Sequence, residues 1–162
     1  MPIVDHMTRE ILVSVPQPCA HVAARALHFP KSSVVMALDQ SPVPAVVLVV
    51  EDEMLLRMVA IEMVEEAGYI PVEAANADEA VKILESRSDI ALMVTDIQMP
   101  GRMDGLGLAH AVHDRWPPIK IIIVSGALNL PDIALPADSR FFGKPLEPRE
   151  VIAEMQHMIG HA

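Results

Sequence analysis

Three largely apolar runs, at positions 45–50, 90–95 and 119–124, the first and last rich in β-branched residues, constrain this chain more than any other feature. Each is apolar at nearly every successive position, as in a strand covered on both faces, and not at alternate positions, as in a half-exposed one. Stretches with helical spacing lie between and around them. In residues 54–67, Leu55, Val59, Met63 and Ala67 are expected to share an inward face, and Gly68 stops the helix. Asn76 opens a second helix with Glu79 three residues on and with Ala80, Ile83 and Leu84 facing inward. A third helix is expected over 106–116, ended by Pro117 and Pro118. A last one covers 147–159, with Pro148 in its first turn and a buried stripe of Val151, Ile152, Met155 and Ile159. With two shorter strands at 69–74 and 140–143, strand and helix alternate about five times. Parallel strands need crossover connections, so the expected fold is α/β: a doubly wound, five-stranded parallel sheet with helices on both faces.

Two segments depart from this order. Residues 127–139 contain Pro131 and Pro136 and have no clean helical period, so any helix there is short or irregular. Residues 1–44 hold six of the fourteen prolines and no pair of elements that would pack together. They read as a poorly ordered N-terminal extension, in which Met36 offers an alternative start, ahead of a domain at 45–162.

Charge and cysteine content narrow the function classes. The formal net charge is −10, and because acids and bases balance up to Ala45, the whole excess lies in the domain. Without a basic stripe, the domain is not expected to bind DNA, since phosphate neutralisation dominates such affinity. The single cysteine, Cys19, excludes an internal disulfide and suits a reducing compartment. No apolar run has the length of a membrane span, and the first residues do not read as a secretory signal, so a cytoplasmic location is expected.

Chemistry is concentrated at the ends of the strands. Glu51 and Asp52 follow the first, Asp96 ends the third, Ser125 follows the fourth and Lys144 the fifth. In a parallel sheet these ends share one edge, where ligands collect. Crowded carboxylates repel unless a cation joins them, and hard oxygen ligands suit Mg2+. A lysine and a hydroxyl beside them suit a phosphoryl group on Asp96. Taken singly, each residue has a plain reading: Asp96 as a loop carboxylate, Glu51 and Asp52 as helix caps, Ser125 as a turn residue, Lys144 as a surface lysine and Phe141 as core. His110 and His113 share a helical face but have no evident third ligand, and Met99 and Met103 read as packing.

With VVEDE at 49–53, TDIQMPG at 95–101 followed by a turn at Asp104-Gly105, IIIVSGA at 121–127 and FFGKPL at 141–146, the chain resembles the receiver domains of two-component response regulators over about 45–161. The resemblance implies a flavodoxin-like receiver fold and a phosphoprotein rather than an ordinary enzyme. Asp96 would accept a phosphoryl group from a histidine kinase or a histidine phosphotransfer protein, forming an aspartyl phosphate. Glu51, Asp52, Asp96 and the backbone carbonyl of Gln98 would hold Mg2+. Ser125 and Lys144 would meet the phosphoryl oxygens, Ser125 and Phe141 would act as the switch, and the Lys144-Pro145 bond would be cis. With only residues 160–162 after the last helix, the expected type is a stand-alone regulator that binds a downstream protein partner or passes phosphate on. The alternatives are a phosphate sink and a phosphorylation-independent binding module. A haloacid-dehalogenase-type phosphatase would need a second aspartate two residues after the nucleophile, where this chain has Gln98.

Overall fold

The computed structural model describes residues 43–126 and 134–160. The N-terminal extension expected at 1–44 therefore lies almost wholly outside the described residues, as do Met36 and Cys19. Five strands and four helices follow in order: β1 (Val46–Val50), α1 (Met54–Glu66), β2 (Ile70–Ala74), α2 (Ala77–Ser86), β3 (Ile90–Asp96), α3 (Gly105–Arg115), β4 (Lys120–Ser125), β5 (Arg140–Gly143) and α4 (Pro148–Ile159). The strands form one sheet in the order β2-β1-β3-β4-β5, and every pairing is parallel. The expected doubly wound sheet is thus observed. Where a short or irregular helix was expected at 127–139, the described part, 134–139, holds a turn and no helix; the rest lies outside the described residues.

The successive apolar positions of β1, β3 and β4 are explained by two cores, one on each face of the sheet. Leu48, Met93 and Ile123 pack with α2 and α3 through Ala80, Leu84, Leu108 and Val112. Val47, Leu92 and Ile122 point the other way and pack with α1 and α4 through Met63, Val64, Val151 and Met155. Central strands that must be apolar on both sides have little freedom except at their ends, and that is where the polar residues sit.

Local signals behave as their chemistry dictates. The Asn76 side chain caps α2 by accepting the Glu79 backbone N–H at 2.9 Å, and the Glu79 carboxylate reaches back to the Ala75 N–H at 2.8 Å. Asn76→Ala is expected to lower stability by about 1 kcal/mol, read from the denaturant midpoint at unchanged slope. The Tyr69 hydroxyl donates to the Gly160 carbonyl at 2.6 Å and ties the end of α4 to the start of β2.

The expected inward face of α1 is only half right. Met63 and Ala67 are buried, with Val64 beside them, but Leu55 is 63% and Val59 46% exposed. Residues four apart drift by about 40° per step on a helix, so a face extended through four such positions cannot stay on one stripe. The carboxyl half of α1 lies on the sheet, whereas the amino-terminal half follows directly on the acidic turn at the strand ends. Of the α4 stripe, Val151 and Met155 are buried, and Ile152 and Ile159 are partly so.

Candidate functional site

The parallel register brings the strand ends together. Val50 pairs with Thr95, Asp96 with Val124, and Ser125 with Gly143, so the residues that follow β1, end β3 and β4 and follow β5 converge at one edge. Glu51, Asp96 and Ser125 are buried there, while Asp52 is exposed. Each of Glu51, Asp52 and Asp96 places a carboxylate oxygen within 4.8 Å of the other two.

Lys144 is the counter-charge. Its Nζ donates to Glu51 Oε2 at 2.9 Å and lies 3.1 Å from Asp96 Oδ2. The other Asp96 oxygen, Oδ1, is buried without a hydrogen-bond partner. A buried carboxylate oxygen left bare costs desolvation energy, so this atom fits a site that receives a cation or an incoming group. The surrounding all-oxygen carboxylate donors fit a hard divalent ion.

Glu51 and Lys144 titrate under opposing influences. Burial pushes the Glu51 carboxyl above its ordinary value, and this outweighs the lowering by its hydrogen bond to Lys144. Burial alone would lower Lys144, but its hydrogen bonds to Glu51 and Asp96 hold it above the usual lysine value. An ion pair would ordinarily lower its acid and raise its base. Only the lysine behaves so here, because Glu51 is the more deeply buried partner and lies beside the Asp96 charge.

Ser125 is buried at the end of β4, and its carbonyl accepts the Lys144 backbone N–H at 2.8 Å. The Lys144-Pro145 peptide is cis, as expected. Gln98 is exposed in the loop after β3, two residues beyond Asp96. Phe141 is half-buried in β5 against the core beneath α2 and α3. His110 is not drawn into a metal cluster among the described residues; its Nε2 contacts the Ala134 carbonyl at 2.8 Å. A cavity of about 440 Å3 opens beside Asp96 and Lys144, walled by Val49, Leu56, Val59, Val94, Val124 and Leu146. Leu56 and Val59 thus face this space and not the core.

Two residues have site roles that the sequence reading did not assign. Gly105, which with Asp104 marks a turn in the sequence, begins α3 directly against the Asp96 backbone, where a Cβ would collide with the Asp96 carbonyl oxygen. Asp104 caps the helix, accepting the Gly107 N–H at 2.8 Å. The second is Arg57, whose Nη1 donates to the Glu51 carbonyl at 2.7 Å. Its sole signal in the sequence is a lone base shortly after three consecutive acids.

The response regulator receiver domain family matches residues 47–156. The chain is 32% identical to the response regulator receiver protein CpdR of Brucella abortus over 117 residues, which span 70% of this chain and 95% of CpdR. It is 35% identical over 119 residues to the sensor kinase CckA of the same organism, covering 71% of this chain but only 12% of that protein's length. Among solved structures, response regulator TrrA of Thermotoga maritima, in complex with Mg2+-BeF, superposes with a TM-score of 0.64 at 26% identity, over 70% of this chain and 98% of TrrA.

Proposed function

Because this chain belongs to the response regulator receiver domain family, we propose that it is a single-domain response regulator, with residues 45–162 as the receiver, that accepts a phosphoryl group on Asp96 from a histidine kinase or a histidine phosphotransfer protein. The observation that carries this reading is the Asp96 carboxylate itself, with one oxygen beside Lys144 and the other buried and bare. In the proposed reaction an Asp96 oxygen attacks phosphorus in line as the bond from phosphorus to the donor histidine nitrogen breaks. The aspartate becomes an acyl phosphate, and the donor imidazole, protonated on its other ring nitrogen, takes the bonding pair and leaves neutral.

Glu51, Asp52, Asp96 and the Gln98 carbonyl would hold Mg2+, which when bound neutralises charge on the phosphoryl oxygens. Lys144 moves its hydrogen bonds from the carboxylates to a phosphoryl oxygen, and the Ser125 hydroxyl donates to another. Ser125 and Phe141 then carry the change in charge toward β4 and β5, biasing a two-state surface that binds a downstream partner or passes the phosphoryl group on. Among the described residues no helix is long and apolar enough to cross a membrane.

The test is incubation with Mg2+ and acetyl phosphate followed by intact mass measurement. The expected result is a gain of one phosphoryl group that requires Mg2+ and disappears in Asp96→Asn. No gain, or a gain that survives the substitution, overturns the assignment. Transfer from a panel of phosphorylated histidine kinases then identifies the donor.

A further inference from the structure

We propose that Arg57 is a positioning residue for the cation site: its guanidinium clamps the backbone of the acidic turn between β1 and α1, so that Glu51 and Asp52 meet the ion in a fixed geometry. This rests on the Mg2+ site proposed above. Within the turn itself, the Glu53 N–H donates to Glu51 Oε1 at 3.3 Å, a bond made by a carboxylate that Lys144 also holds and that the cation would share. Glu53, the residue that caps α1, makes no side-chain cap hydrogen bond, and Asp52 is exposed. The backbone is anchored on one side by the Glu51 N–H, which extends the sheet to the Ala74 carbonyl at 3.2 Å. On the other side, the Glu51 carbonyl accepts from Arg57 Nη1 at 2.7 Å.

Arg57 is in turn held by β2. Its Nε donates to Glu73 Oε2 at 3.0 Å, and its side chain is only 16% exposed although that of Glu73 is 63% exposed. The planar fork therefore spans two anchors, a carbonyl in the turn and a carboxylate on the neighbouring strand. A lysine, with a single ammonium, cannot reproduce that span.

Arg57 acts on a cation in two opposite ways. Its positive charge near Glu51 opposes a second cation, whereas its clamp lowers the cost of ordering the ligands. The two effects predict opposite outcomes on substitution, which makes the role testable. If the clamp dominates, Arg57→Ala binds Mg2+ about tenfold more weakly, as is usual when a group orienting a metal ligand is lost. Arg57→Lys, which keeps the charge but not the fork, falls between the alanine variant and the parent. Glu73→Gln, which still offers an acceptor to Nε, stays close to the parent.

The experiment is calorimetric titration of the full chain with MgCl2 without a phosphodonor, alongside thermal unfolding in chelator. Weaker binding in the order parent, lysine, alanine supports the clamp. Tighter or unchanged binding in Arg57→Ala overturns it, because charge alone would then govern. Should the alanine variant not fold, Arg57→Lys decides: an affinity equal to the parent's overturns the clamp, and a weaker one supports it. A parent that takes up no Mg2+ defeats the cation site as well, whereas a parent that binds with an indifferent Arg57 defeats only the clamp.

Discussion

Gly105→Ala is expected to cost about 3 kcal/mol or more of folding stability and to impair phosphorylation of whatever protein still folds. The added methyl would collide with the Asp96 carbonyl oxygen and fall 2.6 Å from its carbonyl carbon, with the Thr95 hydroxyl at 2.8 Å. These are backbone and fully buried atoms, so no flexible side chain can swing away, and either the start of α3 or the end of β3 must shift. Both are tied down: the Gly105 N–H donates to the Ile97 carbonyl at 3.1 Å, and Ile97 itself donates to the Val124 carbonyl at 2.9 Å. Any displacement is therefore transmitted to the strand end that carries Asp96. Gly143→Ala is the control, since nothing lies within 4 Å of its added Cβ, and it should remain within about 0.5 kcal/mol of the parent. Denaturant midpoints and the rate of mass gain with acetyl phosphate check the two readouts separately.

Lys144→Met is expected to destabilise the Mg2+-free protein at neutral pH by about 2 kcal/mol, less than the roughly 3–5 kcal/mol for breaking a fully buried pair. The discount follows from solvent screening, because the lysine side chain keeps 22% exposure while that of Glu51 keeps 9%. Removing the ammonium leaves Glu51 and Asp96 facing each other without a counter-charge. Mg2+ should therefore raise the melting temperature of the variant more than that of the parent, in which the ion competes with Lys144 for Glu51.

The pH dependence of the parent fixes the sign of each group's contribution. Lys144 is raised in the folded state by its hydrogen bonds to Glu51 and Asp96, net of burial, so its stabilising contribution is fully present below its ordinary 10.5. That contribution is lost as pH rises through the raised value, and Lys144→Met should lack this alkaline loss. Glu51 has the opposite consequence. Burial raises its folded value, so the native state holds its proton longer than the unfolded chain. Its contribution therefore declines as pH climbs from 4.5 through the raised value, and melting in chelator across that range reads it.

The alternation of buried strands and amphipathic helices in the sequence determined the α/β architecture, because parallel strands covered on both faces must be apolar at successive positions. The same logic placed Glu51, Asp52, Asp96, Ser125 and Lys144 at one edge, since strand polarity alone orders the ends of a parallel sheet. Only the tertiary structure decided which atoms pair there. That Lys144 joins Glu51 to Asp96 while Asp96 Oδ1 stays bare depends on distances set by strand register and the path of the β5–α4 loop. Leu55 and Val59 of α1 face away from the core because positions four apart drift off a single stripe, and periodicity also does not record where the supporting sheet stops. The packing role of Gly105 and the site role of Arg57 were illegible for a related reason. One is needed for the close approach of a helix to the Asp96 backbone, the other for a bond to the Glu51 carbonyl, and a backbone atom leaves no mark in the residue alphabet.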